Sequence, residues 1–365
     1  MKKTLLSIMV MFMAIGFTSA QERYLDEIFT DVTVTPNVVF GENYYFIPDP
    51  TQPYIADLPM DMYEATGDAG TGRACVVVMH TGNFLPKYFN GSPSGNNKDS
   101  SIVESCNLFA KRGYVAVAPN YRAGWDPLNA DAEVRRSTLI NAVYRGINDI
   151  KTCVRYLKKE AANLGIDPNK IILYGQGSGG YMSLAYVSLD RQAEFEIEKF
   201  TFAGGASFVD TSLVGNVQGF GGTLNVDNHT GFTSDVMFAV NAGGALGDSS
   251  WIEPGEPPIC SFHCPDDPFA PFEHGIVIVP TTNENVVPVS GSKWVIAEAN
   301  LNGNNDVIRN MTFTDPYSTA AYTALASSHS ALGLNPADYE GLFPFIRAVP
   351  VPGGGGAIFP EASPW

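Results

Sequence analysis

Short, apolar segments separated by helical ones constrain the fold of this chain more than any other feature. Three of these apolar segments are ACVVVMH (74–80), YVAVAPNYR (114–122) and IILYG (171–175). Uninterrupted apolar stretches of this length are typical of strands buried on both faces, as in a parallel sheet. The segments between them, 101–113 and 137–165, repeat apolar residues at the spacing of amphipathic helices. This alternation predicts an α/β fold with a mostly parallel twisted sheet and helices on both faces.

The flanking segments extend the predicted sheet. Apolar and polar residues alternate between residues 31 and 67, which predicts antiparallel strands at the N-terminal edge. Residues 205–235 are rich in Gly, Asn and Thr and predict an insertion over the carboxyl ends of the strands, where open α/β sheets bind ligands. Four later segments are predicted strands, the last of them ending the sheet: KFTFAGGAS (199–207), DVMFAVNAGGA (235–245), PICSFH (258–263) and KWVIAEAN (293–300).

The two ends of the sequence differ in composition from the region between them. Residues 1–20 combine Lys2 and Lys3, an apolar run and the small residues Thr18-Ser19-Ala20, which predicts a signal peptide cleaved after Ala20. The alternative is a membrane anchor, for which the apolar run is short. Residues 21–348 are predicted to form one domain, and residues 349–365 a Pro/Gly-rich tail. We therefore expect a secreted or periplasmic protein without a stable membrane span.

The charge of the chain excludes some partners. A formal net charge of -16 disfavours binding to nucleic acid or to anionic membrane surfaces. The five cysteines are an odd number, so they do not form a complete disulfide framework. The sequence lacks the spacings of zinc and phosphate-loop motifs, and we expect neither a metal nor a cofactor. NLNGNNDV (300–307) could form a calcium-type loop, but turn chemistry explains its composition equally well.

Four blocks in the sequence resemble the α/β-hydrolase fold, in its carboxylesterase and feruloyl-esterase-like branch. VVVMHTGNF (76–84) resembles the strand and oxyanion loop, and GYVAVAPNYR (113–122) resembles the next strand. Residues 149–181 resemble the helix, turn and strand that lead into a G-x-S-x-G-G nucleophile turn. SFHCPDDPFAP (261–271) resembles the segment that supplies the catalytic acid. The resemblance implies an ester hydrolase that acts on a small-molecule ester.

The nucleophile turn, GQGSGG (175–180), departs from that pattern. The residues two before and two after the apex must be small, and only an apex at Gly177, between Gly175 and Gly179, satisfies this requirement. Glycine then stands where the family has its serine, and Ser178 stands one place later. Three interpretations remain: a lost nucleophile, a shifted but active turn that uses Ser178, or glycines that only let the helix pack closely. A dinucleotide-binding G-x-G-x-x-G is a further, weaker reading of the same residues.

The remaining catalytic roles follow from the resemblance. Asp267 matches the acid, with Asp266 as its neighbouring competitor, and His329 is the only histidine late enough in the chain to be the base. The oxyanion loop has Thr81 where a glycine is usual, which leaves the amides of Gly82, Asn83 and Gly179 as candidate donors. Two hypotheses result. The chain is a catalytically silent hydrolase fold that binds an extracellular ligand or serves a structural role, or it is an esterase with Ser178 as nucleophile.

Overall fold

The computed structural model describes residues 22–345, except for positions 48, 88, 91 and 280. The predicted signal peptide and the predicted Pro/Gly-rich tail lie outside the described residues. All five cysteines are described, and four of them are buried as free thiols. None of the helices described combines the length and the apolar character needed to cross a bilayer.

One large sheet organises the described part of the chain. Its strands follow the order β1-β2-β4-β3-β5-β6-β7-β10, where every pair from β4 onward is parallel and the pairs β1-β2 and β2-β4 are antiparallel. The strands are β1 (Val32–Tyr45), β2 (Tyr54–Ala65), β3 (Arg73–Met79), β4 (Val115–Pro119), β5 (Ile166–Gln176), β6 (Phe238–Ala242), β7 (Ile259–His263) and β10 (Leu342–Pro344). A separate antiparallel hairpin consists of β8 (His274–Ile278) and β9 (Asn285–Ser290).

Helices cover both faces of this sheet. They are α1 (Ser100–Lys111), α2 (Ala132–Lys159), α3 (Ala161–Leu164), α4 (Ser178–Ser188), α5 (Thr211–Val214), α6 (Ser292–Leu301), α7 (Asp306–Arg309) and α8 (Pro316–Leu332). Alternate residues of β3 point to opposite faces. Val76 and Val78 pack in a cluster with residues of α1, whereas Val77 and Met79 pack in the larger cluster that includes α2 and α4. The predicted fold class is confirmed.

Two of the predicted strands are wrong. KWVIAEAN lies within helix α6, where Val295, Ile296 and Ala299 are buried at helical spacing while Trp294 is 40% exposed. KFTFAGGAS contains a tight turn at Gly205, and only an isolated bridge joins Thr201 to Ser207. The sheet ends instead with β10, which is only three residues long and too short to show a period in the sequence.

The predicted insertion, residues 205–235, packs mainly against α2. The Lys151 ammonium donates to the carbonyl of Val217 at 2.6 Å, and the Arg155 guanidinium donates to the carbonyls of Gln218 and Asn228. Because most of this segment lacks regular structure, its carbonyl groups need such external donors. The expected cover over the strand ends is therefore small, and in the cavity described below the segment contributes Val209 alone.

Candidate active site

The chain turns sharply between β5 and α4. Gly177 adopts φ 53° and ψ -114°, and α4 begins at the next residue. A positive φ is accessible to glycine without the steric cost that a side chain would add. A Cβ added at Gly175 would lie 2.0 Å from the carbonyl oxygen of Gly179, and one added at Gly179 would lie 2.4 Å from that of Met79. The turn therefore requires glycine at both positions that flank Gly177 at a distance of two residues.

The side of Gly177 from which a side chain would project is occupied by Thr81. A Cβ added at Gly177 would lie 2.2 Å from Oγ1 of Thr81 and 3.0 Å from its Cβ. Both distances are below van der Waals contact, so a serine at position 177 and the observed Thr81 conformation exclude each other. The two departures from the family pattern, a threonine in the oxyanion loop and a glycine in the turn, are thus adjacent and sterically complementary.

Ser178 is buried at the first position of α4 and is hydrogen-bonded to Tyr121. Its Oγ lies 3.0 Å from the Tyr121 hydroxyl, which donates to the carbonyl of His80 at 2.9 Å. Because the phenol has a single proton and uses it for His80, the hydroxyl of Ser178 is the donor to Tyr121. Burial raises the pKa of Tyr121, so the phenol stays protonated and does not act as a base toward Ser178.

Tyr121 itself is positioned by the segment that follows β4. The next residue, Arg122, forms an ion pair with Asp149 of α2 in which both side chains are almost completely buried. The Tyr121 ring stacks on that of His80 at a centroid distance of 4.2 Å. Burial lowers the pKa of His80 to about 4, and its Nδ1 lies 2.6 Å from the carbonyl oxygen of Thr81. His80 therefore supports the loop after β3, as a neutral ring, and does not line the cavity.

The oxyanion loop after β3 has an uncommon backbone. Gly82, Asn83 and Phe84 all have positive φ, at 129°, 56° and 54°. Positive φ is unusual for a residue as bulky as phenylalanine and requires support from surrounding contacts. Here the carbonyl of Asn83 accepts from the indole of Trp125 at 2.8 Å, and that of Phe84 accepts from the Gly124 amide at 2.7 Å. These contacts hold the loop through its carbonyl groups.

A cavity of about 190 Å³ opens at the carboxyl ends of β3, β5 and β7. Its polar wall comes from Thr81, Asn83, Ser178 and Asp267, and the same end includes Gly177 and Gly243. The remaining wall is apolar and comes from the loops after β3, β4, β6 and β7, from α2 and α4, from the segment between α4 and β6, and from the β8-β9 hairpin. Its large members are Phe84, Trp125, Leu139, Ile140, Val143, Tyr144, Ile147, Tyr181, Leu189, Phe195, Phe200, Val209, Trp251, Phe269, Val277, Ile278, Val287 and Val289.

The charged groups of this cavity do not form a triad. Among the described residues that line it, Asp267 is the only one with a charged side chain, and none is a histidine, lysine or arginine. Asp267 Oδ1 accepts from the amides of Phe269 and Ala270 at 2.8 and 2.9 Å. Ser178 and Asp267 therefore share one cavity, as the resemblance implied, but without a base between them.

His329, the predicted base, lies elsewhere. It is fully buried near the end of α8, where Nε2 is 2.9 Å from the carbonyl oxygen of Leu342 in β10. It does not line the cavity that contains Ser178 and Asp267. The family order places the base after the last strand of the sheet. That strand is β10, and the sequence contains no histidine after His329, which precedes it.

The model of the BD-FAE family matches residues 60–281, more than half of the chain. The chain belongs to the BD-FAE family. Members of this family are esterases of α/β-hydrolase fold. A comparison with curated proteins finds no significant match. Within the described residues, no three His, Cys, Asp or Glu side chains are placed to hold a metal ion together.

Solved structures similar to this BD-FAE chain include several of an esterase from Thermogutta terrifontis. Esterase 2 phosphorylated by paraoxon is 20% identical, with 69% of this chain and 77% of that one covered and a TM-score of 0.41. Its apo form is 20% identical, with 68% and 77% covered and a TM-score of 0.40. The propionate-bound form is 19% identical, with 68% and 76% covered and a TM-score of 0.39.

Sequence reasoning missed two contacts of this site. Tyr121 belongs to the N-Y-R block that resembles the family, but only the structure shows that its hydroxyl engages Ser178. Thr81 was evident as a departure from the family pattern, and pairing it with Gly177 required the distance between two loops far apart in sequence. The β8-β9 hairpin, which supplies four wall residues, was not predicted either, because strand and loop signals alternate closely there.

Proposed function

We propose that this protein is a non-hydrolytic member of the BD-FAE family that binds a small apolar ligand in the cavity. One observation supports this most strongly: the cavity that contains Ser178 and Asp267 has no basic side chain among its described lining residues. A serine hydroxyl needs an adjacent base to attack an ester, because the neutral hydroxyl is a weak nucleophile. The walls, by contrast, have the apolar character of a ligand site.

The position of Ser178 is consistent with this proposal. Its proton is directed to the Tyr121 hydroxyl, and the described residues that line the cavity include no histidine or lysine to receive it. The apex of the turn, where the family has its nucleophile, has no side chain at all. We infer that the fold retains the cavity of an esterase and lacks the groups that would turn over a bound ester.

We also propose that the protein acts outside the cytoplasm on an extracellular ligand. The support is the signal-peptide pattern of residues 1–20, together with a net charge that suits a soluble exported protein. Expression in the native host, followed by N-terminal sequencing of the exported form, tests the proposal. A mature chain that begins at Gln21 is expected, whereas an intact Met1 in a cytoplasmic fraction would contradict export.

Fluorophosphonate labelling tests the absence of hydrolysis. The expected result is that the wild-type protein neither takes the label nor cleaves p-nitrophenyl acetate above the rate of a heat-unfolded sample. The alternative function, an esterase that uses Ser178, predicts labelling of the wild type and its loss in Ser178→Ala. Labelling that survives in Ser178→Ala points to another nucleophile and also rejects the proposal.

Ligand binding is tested separately with a substitution that fills the cavity. Ala185 of α4 is buried and lines the cavity, so Ala185→Phe is expected to abolish binding of a small apolar probe such as 2-phenylethanol. Ala326→Phe, at an exposed position of α8, is the matched control and keeps binding. Titration calorimetry measures the affinity, and chemical unfolding verifies that each variant is folded. Equal affinity of the two variants would show that the probe binds outside the cavity.

A further inference from the structure

The carboxylate of Asp267 is the one charge on the described wall of the cavity, and only one of its oxygens is occupied by the protein backbone. Oδ1 accepts from two amides, at 2.8 Å from Phe269 and 2.9 Å from Ala270. Oδ2 faces Gly243, since a Cβ added to that glycine would lie 3.5 Å from this oxygen. The loop after β7 therefore fixes the carboxylate through Oδ1, in a residue that belongs to the cavity wall.

His263 is the nearest candidate to neutralise this charge, and it does not do so. Its Nε2 is 3.9 Å from Oδ2 of Asp267, but it lies closer, at 3.1 Å, to the carbonyl oxygen of Ala270. Since a carbonyl only accepts, Nε2 carries a proton, and Nδ1 accepts from the Ser292 hydroxyl at 2.6 Å. Burial lowers the pKa of His263, which keeps this ring neutral with both nitrogens engaged.

No other cation compensates the carboxylate within the described part of the chain. Apart from the neutral His263, no described basic side chain forms an ion pair with Asp267, and none lines the cavity. In a serine hydrolase the acid orients and stabilises the histidine beside it. Here the acid has kept its place after β7, and the cavity in front of it contains no such partner.

The aromatic walls of this cavity suit a cation as well. The aromatic rings of Tyr181, Phe269, Phe84 and Trp125 line the same cavity, and the faces of such rings attract ammonium groups. The N-terminus of α4 carries an opposing partial charge of about half an elementary charge. This is less than the full negative charge of Asp267, so the polar end of the cavity remains negative on balance, in a chain whose net charge is -16.

We propose that the ligand of this cavity is an organic ammonium ion, bound with its charged nitrogen at Asp267 and its apolar body against the aromatic walls. The inference rests on the proposed binding function and specifies its ligand class. The volume of about 190 Å³ limits the body to roughly one aromatic ring with a short chain, since an apolar cavity of about 150 Å³ holds benzene.

Three probes of matched shape test this inference at pH 7: 2-phenylethylamine, 2-phenylethanol and 3-phenylpropionate, which are cationic, neutral and anionic. Calorimetry on the full chain is expected to give the amine about tenfold higher affinity than the alcohol, and the acid the lowest affinity. Asp267→Asn keeps an oxygen for the two amides and is expected to remove the preference for the amine. Asp266→Asn removes the same charge one residue away, outside the cavity lining, and keeps the preference.

The outcomes separate this inference from the function on which it rests. Binding of all three probes with equal affinity by the wild type overturns the ammonium inference and leaves the binding function standing. A preference for the amine that is unchanged in Asp267→Asn overturns it as well, since another group then supplies the selectivity. Failure of every probe, the neutral alcohol included, rejects the proposed function itself. The ratio of amine to alcohol affinity in the wild type decides the inference even where Asp267→Asn does not fold.

Discussion

The turn between β5 and α4 and the region around β10 differ in how far they match the pattern of an esterase. At the turn, Gly175 and Gly179 still leave the space that a nucleophile turn requires, and Gly177 still has a positive φ. Around β10, the strand occupies its place at the edge of the sheet, but the nearby histidine faces the carbonyl of Leu342, away from the cavity. The first region matches the backbone geometry of a nucleophile turn, and the second matches only the fold.

This difference shows that the glycines of the turn and a catalytic base depend on different physical constraints. The glycines are required by backbone packing between β5, α4 and the loop after β3, whatever chemistry the turn performs. A catalytic base is required only by the reaction, since an α/β sheet packs equally well without it. A nucleophile turn by itself therefore does not establish hydrolysis.

The largest effect is expected from Gly175→Ala. The added Cβ would lie 2.0 Å from the Gly179 carbonyl oxygen and 2.6 Å from the Gly180 amide nitrogen, both of them backbone atoms. We expect a loss of about 3 kcal/mol or more in the free energy of unfolding, measured in urea. Gly204→Ala, where the new Cβ meets nothing within 4 Å, is the control and should change it by about 0.5 kcal/mol or less. Equal stability of the two variants would show that the turn tolerates side chains.

A smaller loss is expected from His329→Ala, because the histidine fills a buried site and bonds the Leu342 carbonyl. Removing both contributions should cost about 2–3 kcal/mol of unfolding free energy. Affinity for 2-phenylethanol should stay that of the wild type. Ser330→Ala, at the exposed neighbouring position, serves as the control. Loss of binding without a loss of stability would show instead that His329 supports the cavity.

The pH dependence of stability tests the support that His80 gives to the oxyanion loop. Its pKa is lowered from 6.5 to about 4 in the folded protein, so the unfolded chain binds the proton first as the pH falls. Between about pH 6.5 and 4, His80 should therefore reduce the free energy of unfolding by up to about 1.4 kcal/mol per pH unit of acidification. His80→Asn should show a shallower decline over this window. If the free energy of unfolding declined as steeply in the variant, groups other than His80 would be responsible for the pH dependence.

The smallest effect is the coupling between Thr81 and Gly177. Gly177→Ser should destabilise the protein, because its Cβ would lie 2.2 Å from the Thr81 hydroxyl oxygen. Thr81→Gly removes that atom, so the double variant should be about 1 kcal/mol more stable than the sum of the two single changes implies. Unfolding in urea of all four proteins gives this coupling energy. Additive changes would mean that the threonine moves aside freely.

The sequence predicted the central sheet well and the site only in part. The apolar strands β3, β4 and β5 are evident because a strand buried on both faces has no polar positions. The loop of Asp267 was evident because four motif blocks in order restrict the alignment. Helix α6 was not evident, because its few apolar residues fit the period of a helix as well as that of a strand. The environment of His329 was not evident either, because it depends on a three-residue strand thirteen positions later.

The sequence alone determined the α/β-hydrolase fold and the glycine at the turn apex, since both follow from local patterns of residue size and polarity. Only the tertiary structure decided which groups face the cavity. It showed that Thr81 occupies the space beside Gly177, that Ser178 donates to Tyr121, and that Asp267 stands there without a base. The physical reason is that charge compensation and side-chain contact depend on distances between loops from different strands, and such distances exist only once the sheet has brought those loops together.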